Sequence, residues 1–139
     1  MTGEQCLEGY LPKQILIVDD SSALRRMVRS CVEEKTDWQV CGEAENGEVA
    51  VRMVSELHPD SVLLDLAMPV MNGLEAARRI ASVSPRPVMV MFTMQYSGQL
   101  LKEAEAVGIT KVLSKTDVGI NHLLASMKTL LNEAPSDAA

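Results

Sequence analysis

The sequence predicts an α/β fold: a five-stranded parallel sheet, doubly wound as (βα)5, between two layers of helices. Three observations carry this. Short apolar runs and stretches of helical period alternate five times along the chain. The runs QILIV, SVLLDL and VMVMF are nearly continuous in apolar residues, as strands covered on both faces are, whereas strands with one wet face alternate. Each run is followed by a helical stripe long enough to cross back over the sheet, and right-handed crossovers then place helices on both faces.

Residues 1–12 show no period, end in Pro12 and read as a loose lead-in to a domain spanning 13–133. The first strand is QILIV, 14–18, which runs into Asp19-Asp20-Ser21-Ser22, where either serine can cap a helix. Leu24, Met27, Val28, Cys31 and Val32 follow at i, i+3, i+4, i+7, i+8, an apolar stripe of helical period. WQVCGEA, 38–44, is a weaker second strand, and Asn46-Gly47 marks a turn. Ala50, Met53, Val54 and Leu57 form the next stripe, stopped by His58-Pro59. SVLLDL, 61–66, is the third strand. After an Asn72-Gly73 turn a helix uses Leu74, Ala77 and Ala81, and Ser84-Pro85-Arg86-Pro87 breaks it. VMVMF, 88–92, is the fourth strand. Leu100, Leu101, Ala104 and Val107 make the fourth helix, closed by Gly108. TKVLS, 110–114, is the fifth strand. Asp117 is placed to cap a last helix carrying Ile120, Leu123, Leu124, Met127 and Leu131, after which a polar tail, 134–139, frays or begins a linker.

The bulk numbers set limits. At 139 residues, 47% hydrophobic and 23% charged, the chain suits one globular domain with a single core. Aromatics are 3%, so aliphatics and nine Met must fill that core. A net charge of −6 disfavours direct nucleic-acid binding by this chain, which needs clustered Lys and Arg. Cys6, Cys31 and Cys41 are odd in number and lack CxxC spacing, which disfavours a disulfide framework or a zinc site. Cys31 and Cys41 fall on apolar patterns and read as small core residues. No apolar run approaches the length of a membrane span, and MTGEQCLEGY is too polar for a secretory signal, so a cytoplasmic protein with no membrane partner is expected.

Ligand sites in open α/β sheets lie outside the carboxyl ends of the strands. Strand 1 ends in Asp19-Asp20, strand 3 around Asp65, strand 4 at Thr93 and strand 5 at Ser114-Lys115. If these strands are neighbours, three carboxylates, a hydroxyl and an ammonium converge. Close carboxylates repel and take up protons unless a cation joins them. Hard oxygen donors suit Mg2+, which keeps several waters and accompanies phosphate. Lys pairs with an anion, a Thr hydroxyl can donate to a phosphoryl oxygen, and an Asp can itself be the nucleophile. These parts describe phosphoryl transfer onto a side chain.

Asp19-Asp20 after ILIV, the stretch LLDLAMPVMNG, Thr93 after VMVMF and Lys115 after VLS together resemble the receiver domain of bacterial two-component response regulators. The resemblance covers roughly 13–133, and the order of the four pieces makes it specific. It implies a flavodoxin-like three-layer sandwich with Asp65 as phosphoacceptor. Mg2+ would be held by Asp19, Asp20, Asp65 and the backbone carbonyl of Ala67. Thr93 would be the switch hydroxyl, with Lys115 and the Met94 backbone on the phosphoryl group, and Pro69 and Gly73 would shape the loop after strand 3. It also implies a histidine kinase as donor and no enzymatic turnover beyond the domain's own phosphoryl transfer and dephosphorylation. LDLAMPVMNGLEAARRI and the Lys-Thr-Asp ending are most similar to receivers that precede a helix-turn-helix. A DNA-binding output in a longer chain, a separate downstream protein and a stand-alone receiver all stay open. A homodimer would use the helix 4, strand 5, helix 5 side or helices 1 and 5.

Three positions depart from the family pattern. Met94 stands where a small residue is usual, and its thioether would shield the phosphoryl group. Val112 replaces an aromatic switch, for which Tyr96 is a candidate substitute. Thr116 replaces a Pro, so the Lys115-Thr116 bond is expected to be trans. Competing functions are a phosphohydrolase of the haloacid-dehalogenase type, disfavoured because Ala67 stands where a second Asp belongs, and a module that keeps the fold for phosphorylation-independent interaction. The methionines around the site read as packing, His58 and His122 as structural or solvent-exposed residues, and Arg25, Arg26 and Arg29 as a solvated helix face or one that helps meet an acidic partner.

Overall fold

The computed structural model describes residues 11–136, with side chains described as far as Leu131. Most of the expected lead-in, Cys6 and the end of the tail therefore lie outside the described residues. The elements are β1 (Gln14–Val18), α1 (Ser22–Lys35), β2 (Gln39–Ala44), α2 (Gly47–Leu57), β3 (Ser61–Leu64), α3 (Gly73–Ile80), β4 (Val88–Thr93), α4 (Gly98–Ala106), β5 (Lys111–Ser114) and α5 (Ile120–Ser136). The strands form one sheet in the order β2-β1-β3-β4-β5, and every pairing is parallel. The predicted alternation and fold class hold throughout.

The period-two alternation of strand side chains divides the core. Leu16, Val18, Val62, Leu64, Met89 and Met91 point to one face, under Ala50 and Val54 of α2, Ala76, Ala77 and Ile80 of α3 and Leu100 and Ala104 of α4. Ile15, Ile17, Leu63, Val90, Phe92 and Leu113 point to the other, under Val28 and Val32 of α1 and Leu123, Leu124 and Met127 of α5. Cys41 packs against the first cluster and Cys31 against the second. The stripes overreach at their margins. Met27, Leu57 and Leu101 are exposed because they lie on the flank of their helices, beyond the part the sheet covers.

Caps bear out some sequence expectations and correct others. Ser21, not Ser22, caps α1, its side chain accepting from the Leu24 N–H. Asn46-Gly47 and Asn72-Gly73 are not free-standing turns. Each Asn side chain accepts the N–H three residues on and caps a helix that opens at the glycine. At the end of α4, Gly108 has φ +97°, with Gly108 N–H donating to Glu105 and Ile109 N–H to Ala104, the paired bonds of a Schellman stop. Asp117 does not cap α5. The chain first turns back on itself, with the N–H groups of Asp117 and Val118 both donating to the Ser114 carbonyl, and the helix starts at Ile120. Helical backbone continues to Ser136, past the expected boundary at 133. Among the described residues no helix is long and apolar enough to cross a membrane.

The loop between β3 and α3 holds a strained residue. Val70 has φ 68°, and the Met71 N–H donates to the Pro69 carbonyl at 2.7 Å across it, a three-residue turn. A β-branched side chain at positive φ is costly, and Val70 is 74% exposed, so its burial returns little. Val70→Gly is expected to raise stability by about 1 kcal/mol, strain relief outweighing the added freedom of the unfolded chain. The urea midpoint measures this, and a lower midpoint would refute the strain.

Candidate functional site

Four strand ends meet at one edge of the sheet. Asp19 follows β1 directly, with its N–H donating to the Ala44 carbonyl at 3.0 Å. Asp65 follows β3, one residue beyond the strand, with its N–H donating to the Val18 carbonyl at 3.0 Å. Thr93 ends β4, and its carbonyl accepts from the Lys115 N–H at 2.8 Å, which ties Lys115 to the same edge. The parallel order places β1, β3, β4 and β5 side by side, so residues separated by 96 positions come within hydrogen-bond reach.

Carboxylate oxygens of Asp19, Asp20 and Asp65 all lie within 4.8 Å of one another. Asp19 and Asp65 are buried and Asp20 is exposed, so the cluster opens to solvent on the Asp20 side. Lys115 Nζ crosses the cluster, donating to Asp19 Oδ2 at 2.8 Å and Asp65 Oδ2 at 3.2 Å. The other Asp19 oxygen accepts the Ser21 N–H, and Asp65 Oδ1 accepts the Leu66 N–H. Burial lifts the Asp65 carboxyl above its ordinary range; Lys115 offsets part of this and the Asp19 charge adds to it. Lys115 loses some basicity to burial, but its two acidic partners more than restore it and hold its pKa high. Three carboxylates thus share one ammonium, which offsets only part of their charge.

Without metal, Lys115 is the cation that pairs with the two buried carboxylates. Lys115→Met keeps the stem volume but leaves two nearly buried carboxylates facing each other, their side chains only 4% and 10% exposed. The expected cost is about 3 kcal/mol near neutral pH in the presence of a chelator. Excess Mg2+ should return part of that loss, since a ligand bound only by the folded form stabilises it. Urea titrations with and without Mg2+ measure both effects; an unchanged midpoint in chelator would refute the first.

The remaining predicted residues lie in or beside β4, β5 and the β3–α3 loop. Thr93 is fully buried and its hydroxyl accepts the Gln95 N–H at 3.0 Å, so the side chain is turned toward its own loop. Met94 is 63% exposed beside it. Pro69 and Ala67 are exposed in the β3–α3 loop, which is closed by the Gly73 N–H donating to the Leu66 carbonyl at 2.8 Å. Val112 is buried with the cluster under α4, Tyr96 is exposed, and Lys115-Thr116 is trans.

The arginines of α1 are a correction. Arg26 is exposed, but Arg25 and Arg29 are partly covered and paired: Arg25 Nε donates to Glu43 Oε1 at 3.0 Å and Arg29 Nε to Glu43 Oε2 at 2.6 Å. Burial would raise the Glu43 carboxyl, yet the bonds from Arg29 and Arg25 hold it below the usual range. The available signal was an i,i+4 arginine pair on a helix beside a lone acid in the neighbouring strand.

The chain resembles known proteins over most of its length. The family model described as response regulator receiver domain matches residues 15–128. A protein-glutamate methylesterase/protein-glutamine glutaminase of Bacillus licheniformis is 33% identical over 121 residues, which is 86% of this chain and 34% of that protein. The transcriptional regulatory protein YdfI of Bacillus subtilis is 42% identical over 80 residues, 58% of this chain and 38% of that one. The response regulator domain of Thermotoga maritima CheB superposes with a TM-score of 0.80 at 26% identity, covering 88% of this chain and 98% of that one. The chain spans between 22% and 38% of the length of the curated relatives considered. With a family model covering most of the residues and the fold in agreement, the chain belongs to the response regulator receiver domain family.

Proposed function

We propose that Asp65 is the phosphoacceptor of this receiver domain, taking a phosphoryl group from a histidine kinase and switching an interaction surface. The observation that supports it best is the convergence of three carboxylates within 4.8 Å under one Lys. The donor set is oxygen only, with an exposed carboxylate on one side, which fits Mg2+ better than a softer metal. Asp19, Asp20, Asp65 and the Ala67 carbonyl would hold it, and when bound it supplies positive charge that neutralises phosphoryl oxygens.

In the transfer an Asp65 carboxylate oxygen bonds to phosphorus as the P–N bond to the donor imidazole breaks and the electron pair stays on the imidazole nitrogen. Lys115 leaves its pairing with Asp65 for a phosphoryl oxygen, keeping its charge at the site. The Thr93 hydroxyl exchanges the Gln95 N–H for the phosphoryl group, to which it donates. The Met94 N–H donates there as well, while its exposed thioether screens the mouth. Pro69 and Gly73 hold the loop that carries Ala67. Ala67 also stands where a second acid would serve a hydrolase, so turnover of a free substrate is not part of this reading.

We take 13–133 as the receiver unit of a cytoplasmic regulator. The likeness to YdfI supports a transcriptional output in a longer chain or a partner protein, and a homodimer would use the α4-β5-α5 side or α1 and α5. Intact-protein mass after incubation with Mg2+ and a small acyl phosphate tests the central claim. One phosphoryl adduct that requires Mg2+ is expected. If the small donor is blocked at Met94, transfer from the cognate kinase decides, and no adduct from either overturns the reading.

A further inference from the structure

Outside the carboxylate cluster, one charged network reaches the segment that carries it. The Asp19 carbonyl belongs to the peptide leading into Asp20, and Arg25 Nη1 donates to that carbonyl at 2.6 Å. The same guanidinium donates to Glu43 through Nε. On the other side of residue 19, its N–H is held by the Ala44 carbonyl. Both peptide groups flanking Asp19 are thus fixed, one by α1 and one by β2, and Glu43 and Ala44 are consecutive in β2. Arg29 donates to the other oxygen of Glu43 and to Glu33, and its bonds stay within this outer ion pair network.

We propose that Arg25, clamped by Glu43, is a positioning residue that sets the Asp19–Asp20 peptide, and so the direction of Asp20, for Mg2+ binding. The proposal rests on the reading of the acidic cluster given above. Arg25 holds main-chain oxygen rather than the carboxylates, so it orders the ligands without competing for them, and Glu43 offsets its charge. A planar fork serves this better than an ammonium, because its donors point to two acceptors in fixed directions. The side chain is 16% exposed, so its geometry is set by packing as well as by charge.

The test uses the full chain, calorimetric titration with Mg2+ alone, and urea midpoints for every variant. Arg25→Ala is expected to weaken Mg2+ binding by roughly tenfold or more, the usual effect of losing a group that orients metal ligands. Arg29→Ala removes a bond to the same Glu43 and should lower the midpoint to a similar degree, yet leave the affinity near wild type. Wild-type affinity in folded Arg25→Ala overturns the proposal, as does an equal loss in Arg29→Ala. Should Arg25→Ala not fold, Arg25→Met, which keeps the packing of the stem, takes its place under the same criteria. A wild-type chain that binds no Mg2+ overturns the reading of the cluster itself, whereas a wild-type chain that binds beside an unaffected Arg25 variant overturns this inference alone.

Discussion

Asp65→Asn is expected to abolish the phosphoryl adduct and, in the absence of metal, to make the protein more stable. The first effect is chemical: an amide oxygen is a far weaker nucleophile than a carboxylate, so the acceptor is lost while the shape is kept. The second is electrostatic. Burial raises the Asp65 carboxyl and the Asp19 charge adds to it, although Lys115 and the Leu66 N–H oppose them. A carboxyl whose folded pKa is raised costs stability when ionised. That cost is full above the folded pKa and disappears as pH falls below the ordinary carboxylate value. The variant should therefore gain on the order of 1 kcal/mol near neutral pH, a like-charge contact partly offset by a cation. The gap to wild type should close on acidification through that window. Intact mass checks the first effect, and urea titrations across acid and neutral pH the second. A variant less stable than wild type near neutral pH would show that Lys115 more than compensates the burial of Asp65.

Gly73→Ala is expected to cost at least about 3 kcal/mol and to disable Asp65 in the molecules that still fold. Gly73 opens α3, where Ala would otherwise be favoured over Gly by roughly 1 kcal/mol. Its Cα, however, lies against the main chain of Asp65. A Cβ there would overlap the Asp65 carbonyl oxygen and reach Met91 Cε at 2.9 Å. The methionine can move aside; the carbonyl cannot without moving Asp65. Gly47 makes the equivalent approach to the Met71 carbonyl, where a Cβ would meet the oxygen at 2.5 Å, so both ends of the β3–α3 loop are packed against glycine. Urea midpoint and extent of phosphorylation measure the two consequences. A stabilised Gly73→Ala would mean that helix propensity governs this position.

Much of this architecture was legible because parallel sheets advertise themselves. Strands buried on both faces must be apolar at every position, so Asp19, Asp65 and Lys115 stood out at the points where the runs stop. Periodicity located the helices but overstated their buried widths, as Met27, Leu57 and Leu101 show. A stripe records which side of a helix faces inward; how far the sheet extends beneath it is a property of the neighbours. Asn46 and Asn72 were misjudged for a related reason, since Asn-Gly has the same local chemistry in a turn as at a helix cap, and only the following N–H tells them apart.

The sequence by itself determined the element order, the parallel sheet and the acids at the strand ends, because each of these is written in local patterns of apolar and polar residues, and the order of four short motifs carried the resemblance to the family. Only the tertiary structure decided which groups touch. It set the Lys115 ammonium across Asp19 and Asp65, pressed Gly73 against the Asp65 carbonyl, and paired Arg25 and Arg29 with Glu43. Those contacts join residues distant in the chain, and they depend on the register of neighbouring strands and the pitch of a helix over the sheet, neither of which has a signature in any short stretch of residues.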